Sequence, residues 1–430
     1  MKDLRPQAVP LRSEAIGLTE VVQRGWGRLP GRGYPLRVAL ATPYWNGATY
    51  RRALGAMISG AVGGGRSLAR LASLVRERWG AQDAVLCGSG SLALELALRA
   101  CGVGEGDEVI VPAFCCTAVL RPIRAAGACP VLADVGEELN LTAGTVEAAL
   151  GPRTKAVIVP HLFGNPAEIG AITELARARG LRVIDDAAQA LGATADGRPL
   201  GGFGDAGILS FGSEKVCFGA GGGVVIAKQR GFAAGPGENL ARASCLRAAA
   251  RFFSTAVCRH WRRWTFPLVR ASSRADQDGP SAPPSPYRRE AMAEVEAAVA
   301  LTLLETLETN IAARRERARA YAELLGKHER VQLIPHRGGS ACLTQVVRVA
   351  PRGRDRDPAA RLVEVLNHAG FEVQGSYVPI HLIDSHAHRG RGGLARAEKV
   401  WADLIELPCE PDVGLEEVER IASIIQRSLR

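Results

Sequence analysis

The stretch Gly204-Asp205-Ala206-Gly207-Ile208-Leu209-Ser210-Phe211-Gly212-Ser213-Glu214-Lys215 sets a short apolar run against a lysine, and Gly219, Gly221, Gly222 and Gly223 follow at once. An amine held among apolar groups has its charged form disfavoured, which makes it a usable nucleophile. Lysines in that state add to carbonyl groups and form Schiff bases. A lysine in a glycine-rich loop is equally explained as a solvated surface residue. What lies upstream separates the two readings.

Upstream, Val85-Leu86-Cys87-Gly88-Ser89-Gly90-Ser91-Leu92-Ala93-Leu94-Glu95-Leu96-Ala97-Leu98 reads as a strand, a Ser/Gly turn and a helix, with Leu92, Leu96 and Ala100 on one face. A helix start reached through Ser and Gly offers free N–H groups and the positive end of the helix dipole, which together suit an anion. Gly88, Gly90 and Ala93 also fit the dinucleotide pattern G-x-G-x-x-A, which asks for an acid at the end of the next strand. Asp107 and Glu108 instead precede the strand Val109-Ile110-Val111, which ends in Pro112. A nicotinamide dinucleotide is therefore disfavoured, and a simple phosphate site or an ordinary strand–helix turn remains.

A second segment, Leu181-Arg182-Val183-Ile184-Asp185-Asp186-Ala187-Ala188-Gln189-Ala190, runs a β-branched strand into two carboxylates. Ligands of open α/β sheets sit beyond the carboxyl ends of strands, where these acids fall. Pyridoxal phosphate (PLP) needs a phosphate site, a Schiff-base lysine and a carboxylate against its pyridine nitrogen. Adjacent acids also hold metals or cap helices, so the pair alone leaves those alternatives open.

Taken in order, these segments resemble the DegT/StrS family of PLP-dependent sugar aminotransferases, over about residues 60 to 430. Gly65 to Gly80 is similar to the helix before that family's phosphate turn, and Ser89-Gly90-Ser91 to its Ser-Gly-Thr turn. Gly104-Glu105-Gly106-Asp107-Glu108-Val109-Ile110-Val111-Pro112 resembles "GxGDEVIVP", and Pro160-His161-Leu162-Phe163-Gly164-Asn165-Pro166 the "HLYGxP" loop. Asp185 to Ala190 resembles "EDAAQA", and Gly204 to Lys215 "GDxGxFSFxxxK". Any one match is weak, but six in order are specific.

The resemblance implies an α/β fold of PLP fold type I. A large three-layer αβα domain with a mostly parallel sheet would be joined to a smaller C-terminal α+β domain. It implies that Lys215 forms the Schiff base and shuttles the proton, that Asp186 faces the pyridine nitrogen, and that Gln189 lies near the ring hydroxyl. Ser89, Gly90 and Ser91 would form the phosphate turn, with Ser210 adding its hydroxyl. Tyr377-Val378-Pro379-Ile380-His381 resembles "YxPxH", which puts His381 near substrate, and His161 is a further cofactor- or substrate-side candidate. The sequence departs from the family where an aromatic usually stacks on the ring. That position is Cys116, so either Phe114 substitutes from a shifted turn or the ring lacks an aromatic lid. Gly221 replaces an acid and Val216 an asparagine.

Composition fits a large enzyme. Hydrophobic residues make up 47% of the 430, and no uncharged apolar run of membrane-spanning length occurs. The N-terminus lacks the apolar core of a signal peptide. The ten cysteines form no C-x-x-C pair, so neither zinc nor a disulfide framework is indicated, and a cytoplasmic location is expected. The net charge of +10 accompanies no nucleic-acid-binding signature, and suits a diphosphate-bearing substrate instead.

The expected organisation is an arm at 1–60 and a PLP-binding domain at 61–271. A Pro/Ser-rich linker at 272–288 and a C-terminal domain at 289–430 complete it. One long helix is expected to carry Met292, Val295, Val299, Leu303 and Leu307. Residues 247–270, with Arg251-Phe252-Phe253 and Arg259-His260-Trp261-Arg262-Arg263-Trp264, form a basic aromatic insertion. It reads as a helix packed on the core, a contact for substrate phosphates, or a membrane-surface contact. By resemblance the functional unit is a homodimer that takes its amino group from L-glutamate and delivers it to a keto sugar, probed against two alternatives. One is a PLP-dependent sugar dehydratase, disfavoured because those relatives replace the lysine with histidine, and the other is a non-catalytic PLP-binding regulator.

Overall fold

A computed structural model describes residues 37–59, 65–229, 244, 246–257, 287–353, 355, 357–384, 387–390 and 392–430. Among the described residues of its first half, five strands alternate with helices and four more strands follow, as the β-branched runs require. They are β1 (Asp83–Cys87), β2 (Glu108–Pro112), β3 (Cys129–Ala133), β4 (Thr154–Pro160), β5 (Arg182–Asp186), β6 (Thr194–Ala195), β7 (Arg198–Pro199), β8 (Ala206–Ser210) and β9 (Gly223–Ala227). The helices are α1 (Gly47–Ile58), α2 (Arg66–Trp79), α3 (Gly90–Ala100), α4 (Leu120–Ala125), α5 (Ala143–Ala149) and α6 (Ile169–Arg179).

The main sheet runs β1-β9-β8-β5-β4-β2-β3, with the two-residue β13 (His388–Arg389) beyond β3. All neighbours pair in parallel except β9, which opposes both β1 and β8. The strands read as continuous apolar runs because both faces are covered. Ile110, Val157, Val159, Val183 and Leu209 join one core with α1 and α2. Their strand neighbours Val109, Val111, Ile158, Ile184 and Ile208 join a second core with α3 and α4. This is the three-layer α/β architecture expected.

The C-terminal sheet is antiparallel, in the order β10-β11-β14-β12, from β10 (Val331–Leu333), β11 (Thr344–Val349), β12 (Gln374–Gly375) and β14 (Leu404–Pro408). Its core takes side chains from α8 (Leu307–Leu325), α9 (Pro358–His368) and α12 (Leu415–Ser428). Two short helices, α10 (Ile380–Ile383) and α11 (Ala395–Val400), lie between β12 and β14.

The expected single helix is in fact two. α7 (Glu294–Glu305) and α8 meet at Thr306, whose φ of −102° and ψ of 8° interrupt the helical path. Every residue of α7 from Glu294 to Leu304 is buried, so its apolar stripe is one side of a fully enclosed helix. Residues 37–59 are packed rather than peripheral. Trp45, Ala53 and Ala56 enter the first core, and Val38 bridges to Phe371 of the C-terminal part.

Residues 246–257 are helical, and Phe252 stacks on Trp45 with ring centroids 5.1 Å apart. Arg247 and Arg251 pair with Glu290 and Glu296, while Leu246, Phe253 and Val257 are exposed. The rest of the basic aromatic segment, 258–270, and the linker up to 286 lie outside the described residues. Among the described residues no helix is long and apolar enough to cross a membrane.

Candidate active site

The carboxyl ends of β4, β5 and β8 and the start of α3 surround a cavity of about 160 Å³. Ser89, Gly90, Ser91, Cys116, His161, Asp186, Gln189, Ser210 and Lys215 all line it. Phe114 and His381 do not. Residues drawn from stretches 126 positions apart, Ser89 to Lys215, thus converge where an open parallel sheet places its ligands.

The anion end is built by close approach. Ser89 caps α3, its Oγ accepting the Leu92 N–H at 3.2 Å and donating to the Arg288 carbonyl at 3.1 Å. Its hydroxyl is therefore engaged within the protein. Gly90 and Ser91 begin the helix, where backbone N–H groups have no intrahelical partner. A Cβ on Gly90 would stand 2.9 Å from Ser210 Oγ, so only glycine lets the β8 hydroxyl sit beside the helix start. A Cβ on Gly223 would meet the Ser89 carbonyl at 2.5 Å, which ties the glycine run after Lys215 to the same turn.

The two aspartates have separate tasks because neighbours on a strand face opposite ways. Asp185 is fully buried, with Oδ1 2.7 Å from His161 Nε2 and Oδ2 accepting the Phe203 N–H at 2.9 Å. The Ala167 N–H donates to His161 Nδ1 at 3.0 Å, so the ring proton resides on Nε2 and is donated to Asp185. Both nitrogens of His161 are thereby used by the fold. Asp186 turns into the cavity, its Oδ1 accepting the Ala188 N–H at 2.9 Å. Burial pushes its carboxyl above the ordinary aspartate value, opposed by that hydrogen bond and by the nearby charge of Lys215. A cation against Asp186 would relieve this cost.

Gln189 accepts the Phe163 N–H on Oε1 at 3.0 Å and donates from Nε2 to the Tyr377 hydroxyl at 2.8 Å. Phe163 is held at φ 60°, ψ 18°, an uncommon backbone state for a bulky residue. Lys215 follows Glu214, another non-glycine at positive φ (59°), and is half-buried rather than enclosed. On the expected stacking position, Cys116 lines the cavity. Phe114 is instead buried edge-on to Tyr377, ring centroids 5.9 Å apart. His381 is also buried, its Nε2 3.0 Å from Glu398. Sequence reasoning passed over Tyr377 and Phe163 as site residues, although both lie in stretches that resembled family motifs.

The donor set fits PLP: unpaired helix-start N–H groups and a serine hydroxyl for phosphate, a buried carboxylate for a protonated ring nitrogen, and an amine in the same cavity. A mostly parallel seven-strand sheet with one reversed strand and this constellation at its carboxyl edge defines the fold-type-I PLP enzymes. The chain belongs to the DegT/DnrJ/EryC1/StrS aminotransferase family, which matches it over residues 48–426, and is a PLP-dependent aminotransferase. It is similar to GDP-perosamine synthase of Caulobacter vibrioides, at 29% identity over 85% of this chain and 91% of the relative. It also resembles UDP-N-acetyl-3-dehydro-alpha-D-glucosamine 3-aminotransferase of Acidithiobacillus ferrooxidans, at 33% identity over 81% and 85% of the two chains. The crystal structure of the aminotransferase TlmJ from Streptoalloteichus hindustanus superposes with a TM-score of 0.72, at 26% identity, over 91% of this chain and 98% of that one.

Proposed function

We propose that this enzyme moves an amino group from L-glutamate to the keto group of a nucleotide-linked sugar. The observation that carries the chemistry is Lys215 and Asp186 in one cavity with the anion turn of α3. The acceptor class is supported by the two relatives, whose names carry GDP- and UDP-linked sugars. Retention of Lys215 counts against a dehydratase, and the assembled constellation counts against a non-catalytic regulator.

When bound, PLP supplies the aldehyde that condenses with amines and the ring that accepts the electron pair released at Cα. Lys215 Nζ would hold that aldehyde and would carry the proton at Cα. Asp186 would keep a proton on the ring nitrogen. The N–H groups of Gly90 and Ser91, with the Ser210 hydroxyl, would hold the phosphate, and Gln189 would face the ring oxygen.

We place the enzyme in the cytoplasm as a homodimer, the commonest symmetric assembly. Arg247 and Arg251 are already paired to glutamates, so any contact of the basic segment with substrate phosphates or a lipid surface falls to its other residues. The deciding experiment mixes the PLP-loaded protein with L-glutamate and then with GDP-, UDP- and dTDP-linked keto sugars. Glutamate should bleach the cofactor absorbance, and one sugar should restore it with formation of an amino sugar. Restoration only by small 2-keto acids would sink the sugar assignment.

A further inference from the structure

Gln189 is gripped by two residues distant in the chain, 26 and 188 positions away. A backbone N–H only donates, so the amide atom 3.0 Å from Phe163 N is Oε1. Nε2 therefore faces the Tyr377 hydroxyl, 2.8 Å away, and gives it one of its two hydrogens. The second is left for the cavity that Gln189 lines.

Both grips are fastened from the C-terminal part of the chain. The ring of Tyr377 stacks on Phe163, centroids 5.9 Å apart at 29°, and meets Phe114 edge-on. The loop between β10 and β11 clamps the Phe163 turn. Leu343 N donates to the Phe163 carbonyl at 2.9 Å, while Ala341 N and Ser340 Oγ donate to the Gly164 carbonyl at 2.9 and 2.8 Å. A Cβ on Gly164 would collide with Leu343 N at 2.8 Å, so the clamp is closed to the limit that glycine allows.

We infer that Tyr377 is a positioning residue of the cofactor site, holding the Gln189 amide so that one N–H is presented to the oxygen substituent of the PLP ring. Through this contact the segment after β12 sets the protonation of the bound cofactor. The inference rests on the proposed placement of Gln189 against that oxygen. A donor aimed at the oxygen stabilises its anion, so the bound chromophore releases its proton at lower pH. Slackening the donor moves the release upward.

Tyr377→Phe keeps the ring and its stacking and removes only the acceptor. The pH midpoint of the bound cofactor's absorbance change should rise by about half a unit to one unit, the scale of one hydrogen bond. PLP uptake by the apoenzyme should weaken by about threefold, with far-UV circular dichroism unchanged. Gln189→Ala should shift the midpoint at least as far, and adding Tyr377→Phe to it should change nothing more. This comparison of the double variant with Gln189→Ala decides the matter even where Tyr377→Phe alone folds poorly. A wild-type midpoint in Tyr377→Phe, or a full further shift in the Gln189→Ala background, overturns the inference. Failure of the wild-type protein to take up PLP would instead overturn the cofactor reading itself.

Discussion

Exchanging either of two adjacent carboxylates for an amide should give opposite phenotypes. Asp185 uses both oxygens as acceptors, from His161 Nε2–H at 2.7 Å and the Phe203 N–H at 2.9 Å, and is fully buried. An asparagine there offers one acceptor, so one donor loses its partner and the new amide N–H groups face donors. Two buried orphans at roughly 1–3 kcal/mol each come to about 2–6 kcal/mol. At about 2 °C per kcal/mol, the apoenzyme should melt roughly 4–12 °C lower. Asp186→Asn keeps the acceptor for the Ala188 N–H and removes a charge that burial disfavours, so the apoenzyme should melt no lower than wild type. It should still load PLP at high concentration but lose at least about 100-fold in turnover, because the ring nitrogen loses its anionic partner. Melting of both apoproteins, with amino transfer at saturating PLP, tests the pair together. A stable Asp185→Asn enzyme without turnover, beside an active Asp186→Asn enzyme, would refute the division of labour.

Borohydride should fix PLP covalently to the wild-type protein and not to Lys215→Ala, as peptide mass spectrometry would show. In Gly90→Ala the new Cβ would stand 2.9 Å from Ser210 Oγ, and PLP uptake by the apoenzyme should weaken by about tenfold, the worth of one good hydrogen bond to phosphate. Glu406, buried on β14 beside Ser376 and Gln374, has its carboxyl raised from 4.5 to about 7 by burial. Between those values the native state holds a proton that the unfolded chain has released, so stability falls as pH rises through the window. Glu406→Gln should flatten that decline, read as melting temperature from pH 5 to 7.5, and an unchanged slope would exclude Glu406 as its source.

The main sheet was legible because its strands are buried on both faces and read as unbroken apolar runs. The choice of Asp186 over Asp185 followed from resemblance, and strand alternation supplies its geometric counterpart. The histidines were harder. His161 does line the cavity, yet its partners Ala167 and Asp185 consume both nitrogens, and that depends on a loop and a strand meeting. His381 sits in a family-like stretch but packs toward Glu398 on another helix. The break at Thr306 was hidden because apolar spacing runs through it. Tyr377 was hidden because its partner Gln189 lies 188 residues away, beyond any local pattern.

The turn at Ser89 is completed only by chain made much later. Gly88 N donates to the Glu290 carbonyl at 2.7 Å, Ser89 Oγ donates to Arg288, and reversed strand β9 brings Gly223 against Ser89. During synthesis, the first two hundred residues therefore emerge before the segments that complete this turn. Such long loops close slowly. The turn thus reaches its full set of hydrogen bonds only once chain as far as residue 290 has been made.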